Sequence, residues 1–401
     1  MNAAAWYAAD YAQARQKFLW AAESAAARVE HWHHPFAVGP GGEPLFTDSA
    51  FVGDDDADVL VLSLSAMHGD EGLCGSALQV AWFAQQGARL PRGVALLAVH
   101  ALNPFGFAHG VRVNENGVDL NRNWIDHGAR PPNPLYEAFH ATLPPPAPPT
   151  AALRAQWQAA YERFYAEHGD WAASDAISRG QYTRADGLQY GGDAPQWSSR
   201  VLLELLGRHA PRARHVVYLD WHSLVRSGDG QLVFLCFNQT GDALFTRAAS
   251  WWGDAAVNRQ LVNAQWAQGI GRSERRPTRC GLQMWGVQRA LAPRADVAGA
   301  VIEFCADPGP AHEGLQAEIE GTLVQRWLLA AAQSGQAGSA EAAALRQQRL
   351  QAGCPPRPAF RERTLAAALE AHAAAVEGAG RWARDDVPAA PGLLRTQGAF
   401  E

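Results

Sequence analysis

The run Ser65-Ala66-Met67-His68-Gly69-Asp70-Glu71-Gly72 holds a histidine and a glutamate three residues apart. An imidazole and a carboxylate at that spacing can converge on one metal ion from a turn, and the flanking glycines let the backbone fold tightly there. The pattern alone is common: in a chain with 14 histidines, about one His-x-x-Glu arises by chance. Its plain alternative is a polar loop whose Asp70 or Glu71 caps a helix. A second candidate is Asp220-Trp221-His222-Ser223. His222, as a neutral imidazole, would complete three protein ligands and leave one position open, the arrangement of catalytic rather than structural zinc. Strand alternation puts Asp220 on the same side, where it can order the site. Without a metal, His222 is a histidine capping a sheet edge.

A third candidate is Arg112 followed by Asn116-Gly117-Val118-Asp119-Leu120-Asn121-Arg122-Asn123-Trp124. Its ordinary reading is a turn with a surface arginine. The fourth is Glu303 within Val301-Ile302-Glu303-Phe304-Cys305. A glutamate inside an apolar strand is costly to bury as a charge unless it is paired, bound to metal, or shifted in pKa for acid–base work. A structural ion pair with a buried arginine, Arg112 among them, would also account for it.

The elements that must position these residues follow from hydrophobic patterning. Val59–Ala66, Val94–Val99, His215–Trp221, Leu232–Phe237 and Ala300–Cys305 are short, β-rich and bounded by Gly, Pro or Asp, as strands buried on both faces are. Helical stretches such as Gly75–Gln86 and Leu315–Ala332 alternate with them, and residues 1–30 predict an amphipathic opening helix. Interleaved strands and helices imply an α/β sheet covered by helices, with its chemistry at the carboxyl ends of the strands. The proline-rich stretch 128–149 reads as an extended insertion, and 150–200 adds a helix and a Gly/Tyr-rich loop. After Gln333 the chain turns Ala-, Gln- and Arg-rich with a break at Gly353-Cys354-Pro355-Pro356, which predicts two peripheral helices and a loose tail. The expected organisation is a catalytic domain over 1–334, with the insertion at about 128–200, followed by peripheral helices and tail over 335–401.

Composition excludes several classes. With 48% hydrophobic and 18% charged residues the chain is not a disordered one, and its apolar runs fall short of the roughly 20 residues a membrane helix needs. A net charge of −6 without a basic block argues against nucleic acid. Five scattered cysteines without a CxxC pair suggest neither a disulfide framework nor a thiolate zinc site, so a reducing, cytoplasmic setting is expected.

Taken in order, His68-x-x-Glu71, Arg112, the Gly-Val-Asp-Leu-Asn-Arg-Asn-Trp run with Asn121-Arg122, His222-Ser223 and Glu303 resemble the zinc carboxypeptidase family and its relatives, the deacylases of N-acyl amino acids. The correspondence covers roughly residues 55–310. Segments 34–53, 103–107 and 180–197 are reminiscent of a bacterial branch of that superfamily. The resemblance implies a mixed, mostly parallel eight-stranded sheet flanked by helices, of which the sequence itself shows five strands. It also implies one zinc ion per chain, held by His68, Glu71 and His222, with Asp119 accepting a hydrogen bond from His68. Arg112 would polarise the scissile carbonyl, Asn121 and Arg122 would hold a substrate carboxylate, and Glu303 would take a proton from the attacking water and deliver it to the leaving amine.

Two features separate this chain from carboxypeptidases. No tyrosine follows Tyr218, so the mobile tyrosine that covers a terminal residue in that family has no counterpart; Gln283, Trp285 and Gln288 occupy the loop between Cys280 and Ala300. Arg112 lies only nine residues before Asn121, closer than in carboxypeptidases. The expected reaction is hydrolysis of an amide next to a free carboxylate, in a short peptide or an N-acyl amino acid. The alternatives are a carboxylate-independent zinc amidase or deacylase, and an inactive zinc-containing binding protein. The partner is then a small molecule or short peptide, not nucleic acid or membrane. A His₂Glu set also suits cobalt or manganese. The His31-Trp32-His33-His34 cluster abuts Pro35 and is assigned to packing or surface.

Overall fold

The computed structural model describes residues 3–225, 228–236, 242–253, 256–259, 278–307 and 315–384. Its centre is one eight-stranded sheet. The strands are β1 (Arg28–Val38), β2 (Pro44–Val52), β3 (Val59–Ser65), β4 (Val94–His100), β5 (His215–Val225), β6 (Leu232–Cys236), β7 (Val257–Arg259) and β8 (Asp296–Ala306). They lie in the order β1-β2-β4-β3-β5-β8-β6-β7. The run β4-β3-β5-β8 is parallel, as is β6–β7, whereas β1–β2, β2–β4 and β6–β8 are antiparallel. The expected mixed, mostly parallel, eight-stranded architecture is thus the one observed. No helix among the described residues is long and apolar enough to cross a membrane.

β3 and β4 are buried at every position because helices cover both faces of the sheet. Alternate residues feed two cores. Val59, Val61, Val217, Leu219, Trp221 and Ile302 pack toward the Gly72–Gln86 and Pro358–Trp382 helices. Leu60, Leu62, Leu64, Tyr218, Val297 and Val301 pack toward the Trp197–His209 and Gln283–Leu291 helices. Fully burying one such aliphatic side chain contributes about 1.5–3 kcal/mol. By the same alternation Asp220, His222 and Glu303 lie on the second face.

The opening helix runs Tyr11–Ser24 and is capped by Asp10, whose Oδ1 accepts the Gln13 N–H at 2.9 Å. The proline-rich stretch is not wholly extended. It contains the short Tyr136–His140 helix, which joins Ala151–His168 and Asp170–Ser178 in a small core built on Tyr136, Phe139, Trp157, Tyr161 and Phe164. The two helices expected after Gln333 are present as Ala340–Gly353 and Pro358–Trp382. They are not peripheral: Phe360, Leu365, Ala368, Ala375, Ala379 and Trp382 belong to the main core. An alanine face can pack close to the sheet, and its weak hydrophobic signal is why the sequence reads as peripheral. The expected loose tail from residue 385 onward, and Phe237 at the end of the expected fourth strand, lie outside the described residues.

The histidine cluster divides between surface and interior, with His31 and His33 exposed and His34 buried. His31 Nδ1 lies 2.6 Å from Asp48 Oδ1, and buried His34 rests against Trp197 while its Nδ1 accepts the Ala37 N–H at 2.9 Å.

Candidate metal centre

Four adjacent parallel strands deliver the candidate residues from their carboxyl ends. His68 and Glu71 follow β3, and the segment with Arg112, Asp119, Asn121 and Arg122 follows β4. His222 lies near the end of β5 and stands directly beside Glu303 of β8 in the parallel register. β3 leads to β4 on one side of it, while β5 lies on the other, so the chain reverses direction across the sheet at β3/β5. Loops diverge at such a point and leave a crevice.

The turn after β3 is tight. Ala66 has φ of 55°, and Gly69 N–H and Asp70 N–H donate to the carbonyls of Arg112 and Val111 at 3.3 and 3.2 Å. A Cβ on Gly69 would stand 1.9 Å from the carbonyl carbon of Gly106, so only glycine lets the two loops meet.

His68, Glu71 and His222 converge: one ligating atom from each lies within 4.8 Å of the others. His68 Nδ1 is 3.1 Å from Glu71 Oε1, and His222 Nδ1 is 2.8 Å from Glu71 Oε2. The opposite ring nitrogens face aspartates, with His68 Nε2 at 3.3 Å from Asp119 Oδ1 and His222 Nε2 at 3.2 Å from Asp220 Oδ1. A carboxylate behind Nε2 favours the tautomer with its proton there, and in the neutral ring that tautomer presents the Nδ1 lone pair to a metal. Two buried imidazoles prepared in this way, with a carboxylate between them, fit a divalent metal such as zinc.

The charges are arranged accordingly. Burial alone would raise the Glu71 carboxyl, but His68 and His222 outweigh it and hold it well below the usual range. Burial would lower His222, yet Asp220 and Glu71 push it well above its ordinary value. Burial likewise opposes ionisation of Asp119, and Arg112 and His68 overcome it. Glu303 behaves in the opposite way: burial pushes its carboxyl up, His222 draws it down, and Glu71 raises it again. A carboxyl with raised affinity for protons beside a metal-type centre is suited to receiving one.

Arg112 stands at the rim, where its Nε donates to Asp119 Oδ2 at 2.9 Å and its Nη1 to Glu71 Oε1 at 3.2 Å. Asn121 Oδ1 accepts the Gln283 N–H at 2.9 Å. Arg122 is only 4% exposed and donates to backbone carbonyls, from Nη1 to Asn121 at 2.7 Å and from Nε and Nη2 to Ser178 at 3.2 and 2.8 Å. Among the described residues no carboxylate forms an ion pair with it. Glycines shape its cradle, since a Cβ on Gly281 would stand 2.0 Å from the Arg122 carbonyl oxygen.

Sequence reasoning missed two contributors. Asp70 pairs with Arg349 at 2.6 Å, tying the metal loop to the Ala340–Gly353 helix. Tyr218, two positions before Asp220, donates its hydroxyl to Asp220 Oδ2 at 2.7 Å. The alternation Tyr218-x-Asp220-x-His222, three polar groups on one face of an apolar strand, was the available signal.

The fold and site define an α/β protein with a buried His-Glu-His group at the carboxyl edge of a mixed sheet. The chain belongs to the family described as protein of unknown function DUF2817, which it matches over residues 7–367. No curated protein matches it. Among solved structures it is similar to the carboxypeptidase A of Helicoverpa armigera, at 12% identity over 87% of this chain and 74% of that one, with a TM-score of 0.43. It is also similar to the succinylglutamate desuccinylase of Chromobacterium violaceum, at 15% identity over 88% and 76% of the two chains and a TM-score of 0.33. A third is the murein-tripeptide amidase MpaA of Escherichia coli O157, at 16% identity over 77% and 91%, with a TM-score of 0.32.

Proposed function

We propose that the chain is a zinc-dependent hydrolase that cleaves an amide bond adjacent to a free carboxylate, in a short peptide or an N-acyl amino acid. The observation that carries this reading is the convergence of His68, Glu71 and His222, each imidazole backed by its own aspartate, with Glu303 in register beside His222. A divalent metal in this donor set supplies Lewis-acid polarisation and activates water at neutral pH.

The protein's own groups do the rest. Asp119 and Asp220 orient the two imidazoles. Glu303 takes the proton of the attacking water and returns it to the departing amine. Arg112, fixed by Asp119 and about a quarter exposed, turns its remaining N–H groups toward the developing oxyanion. Arg122 has five N–H bonds, three of which are accounted for by backbone carbonyls. A buried guanidinium without a carboxylate partner favours an anionic substrate group, which Asn121 would help to hold. In this reading the catalytic domain extends through the C-terminal helices.

The same Arg122 contacts favour a second reading. A guanidinium already committed to Asn121 and Ser178 carbonyls has less to offer a carboxylate, as in a carboxylate-independent amidase or deacylase.

The experiment has two parts. Freshly purified protein should carry about one zinc per chain, and His68→Ala or His222→Ala should release it. Zinc-free protein with both substitutions silent overturns the hydrolase. Matched substrates, an N-acyl amino acid and its amide, are then compared by kcat/KM on wild type and Arg122→Ala. A preference for the acid of at least about 10²-fold that disappears in the variant supports the clamp. Equal turnover of both by the wild type selects the carboxylate-independent enzyme.

A further inference from the structure

The two imidazoles of the metal centre are backed differently. Asp119, behind His68, is anchored by a cation and by backbone: Arg112 Nε reaches its Oδ2 at 2.9 Å, and the Asn121 N–H reaches its Oδ1 at 2.8 Å. Asp220, behind His222, has no arginine or lysine as ion-pair partner among the described residues. Its Oδ2 instead accepts the Tyr218 hydroxyl at 2.7 Å and lies 3.5 Å from Gln283 Nε2. The same amide donates to the Tyr218 hydroxyl oxygen at 3.1 Å. Tyr218, Asp220, Gln283 and His222 are all at most 2% exposed, so water cannot take over any of these bonds.

We propose that Tyr218 is a positioning residue for the metal centre. Its hydroxyl, steadied by the Gln283 amide, locks the Asp220 carboxylate in the rotamer that keeps Oδ1 against His222 Nε2. That contact in turn aims His222 Nδ1 at the shared site with Glu71. A phenylalanine would fill the same place among Leu60, Leu62 and Val216, so packing does not require the hydroxyl. What the hydroxyl contributes is the orientation of a carboxylate with two otherwise equivalent ways to turn. The inference rests on the reading of His68, Glu71 and His222 as metal ligands.

The test is the zinc dissociation constant of the full chain, measured by chelator competition, for wild type, Tyr218→Phe, Asp220→Ala and the double variant. Tyr218→Phe is expected to raise the constant about tenfold, the lower end of what partners behind a ligand contribute, while the metal-free protein keeps its thermal midpoint. In the Asp220→Ala background the same change should add nothing, because the hydroxyl acts through that carboxylate. An unchanged constant in Tyr218→Phe, or an equal penalty with and without Asp220, overturns the proposal. Where Asp220→Ala does not fold, Asp220→Leu, which fills the space without an acceptor, takes its place in the cycle. A wild type that binds no zinc, or one whose binding survives His222→Ala, removes the metal reading itself. Zinc lost in His222→Ala but indifferent to Tyr218→Phe removes only this inference.

Discussion

Glu303 shows how much one residue can disclose. An acid in an apolar strand calls for a partner, and its place beside His222 in the β5–β8 register supplies one. Burial pushes its carboxyl up, so it holds a proton more readily than a surface glutamate. Glu303→Gln preserves shape and removes proton transfer. We expect kcat/KM to fall at least about 10²-fold with zinc content and thermal midpoint retained, as read by metal analysis and calorimetry. Undiminished turnover in that variant would place the base elsewhere. The candidate-site residues His68, His222 and Glu303 are readable in the sequence because each falls at or near a strand end, where the hydrophobic pattern is strongest. Arg112, Arg122 and Tyr218 are less so, because what an arginine or tyrosine donates to depends on chain far away in sequence or on the opposite rim. Ser178 and Gln283 are such partners.

Among elements, the five strands expected from sequence are all present as strands, and β3 and β4 are buried throughout, because a strand covered on both faces is an unbroken apolar run; β6 is half-buried at three of its five positions. β1, β2 and β7 carry no such signal. β1 is an edge strand whose alternating Trp and His residues are half-exposed, and β7 has only three residues. The C-terminal helices are legible as helices but not as core, since alanine packs well and signals burial weakly. Their proximity to the metal loop has a measurable consequence. Arg349 of the Ala340–Gly353 helix pairs with Asp70, whose side chain is 4% exposed and adjoins Glu71. Arg349→Ala leaves that carboxylate buried without its cation. The loss should be about 1–3 kcal/mol in urea unfolding, less than for a fully enclosed pair because Arg349 reaches solvent. Zinc affinity should weaken with it, since the loop also carries His68 and Glu71. Stability and zinc binding both at wild-type levels would show that the helix does not brace the site.

For the whole molecule, the core on one face of the sheet buries two histidines outside the candidate site. His372 lies between Trp82 and Trp221, with ring centroids 4.2 and 6.2 Å away, and burial pushes its pKa down to about 3. His100 stacks on Phe18 at 4.6 Å and meets Ser76 Oγ at 3.0 Å; burial lowers it to about 4, against the pull of Asp48. An unfolded histidine takes up its proton near pH 6.5, whereas these two refuse it until the medium is far more acidic. Between those limits the unfolded chain binds more protons than the native one, so stability present above pH 6.5 is lost as the pH falls. Each histidine contributes a slope of about 1.4 kcal/mol per pH unit over most of that window. Between about pH 6 and 4.5 Asp119 and Glu71, both held well below the ordinary carboxylate range, keep their share, while Glu303, pushed up by burial, opposes the histidines. His372→Leu removes one titrating group and leaves an apolar side chain between the two indoles. Urea unfolding of metal-free protein across this range should show the variant's slope shallower than the wild type's by about 1.4 kcal/mol per unit. Equal slopes would mean that His372 is protonated in the native core.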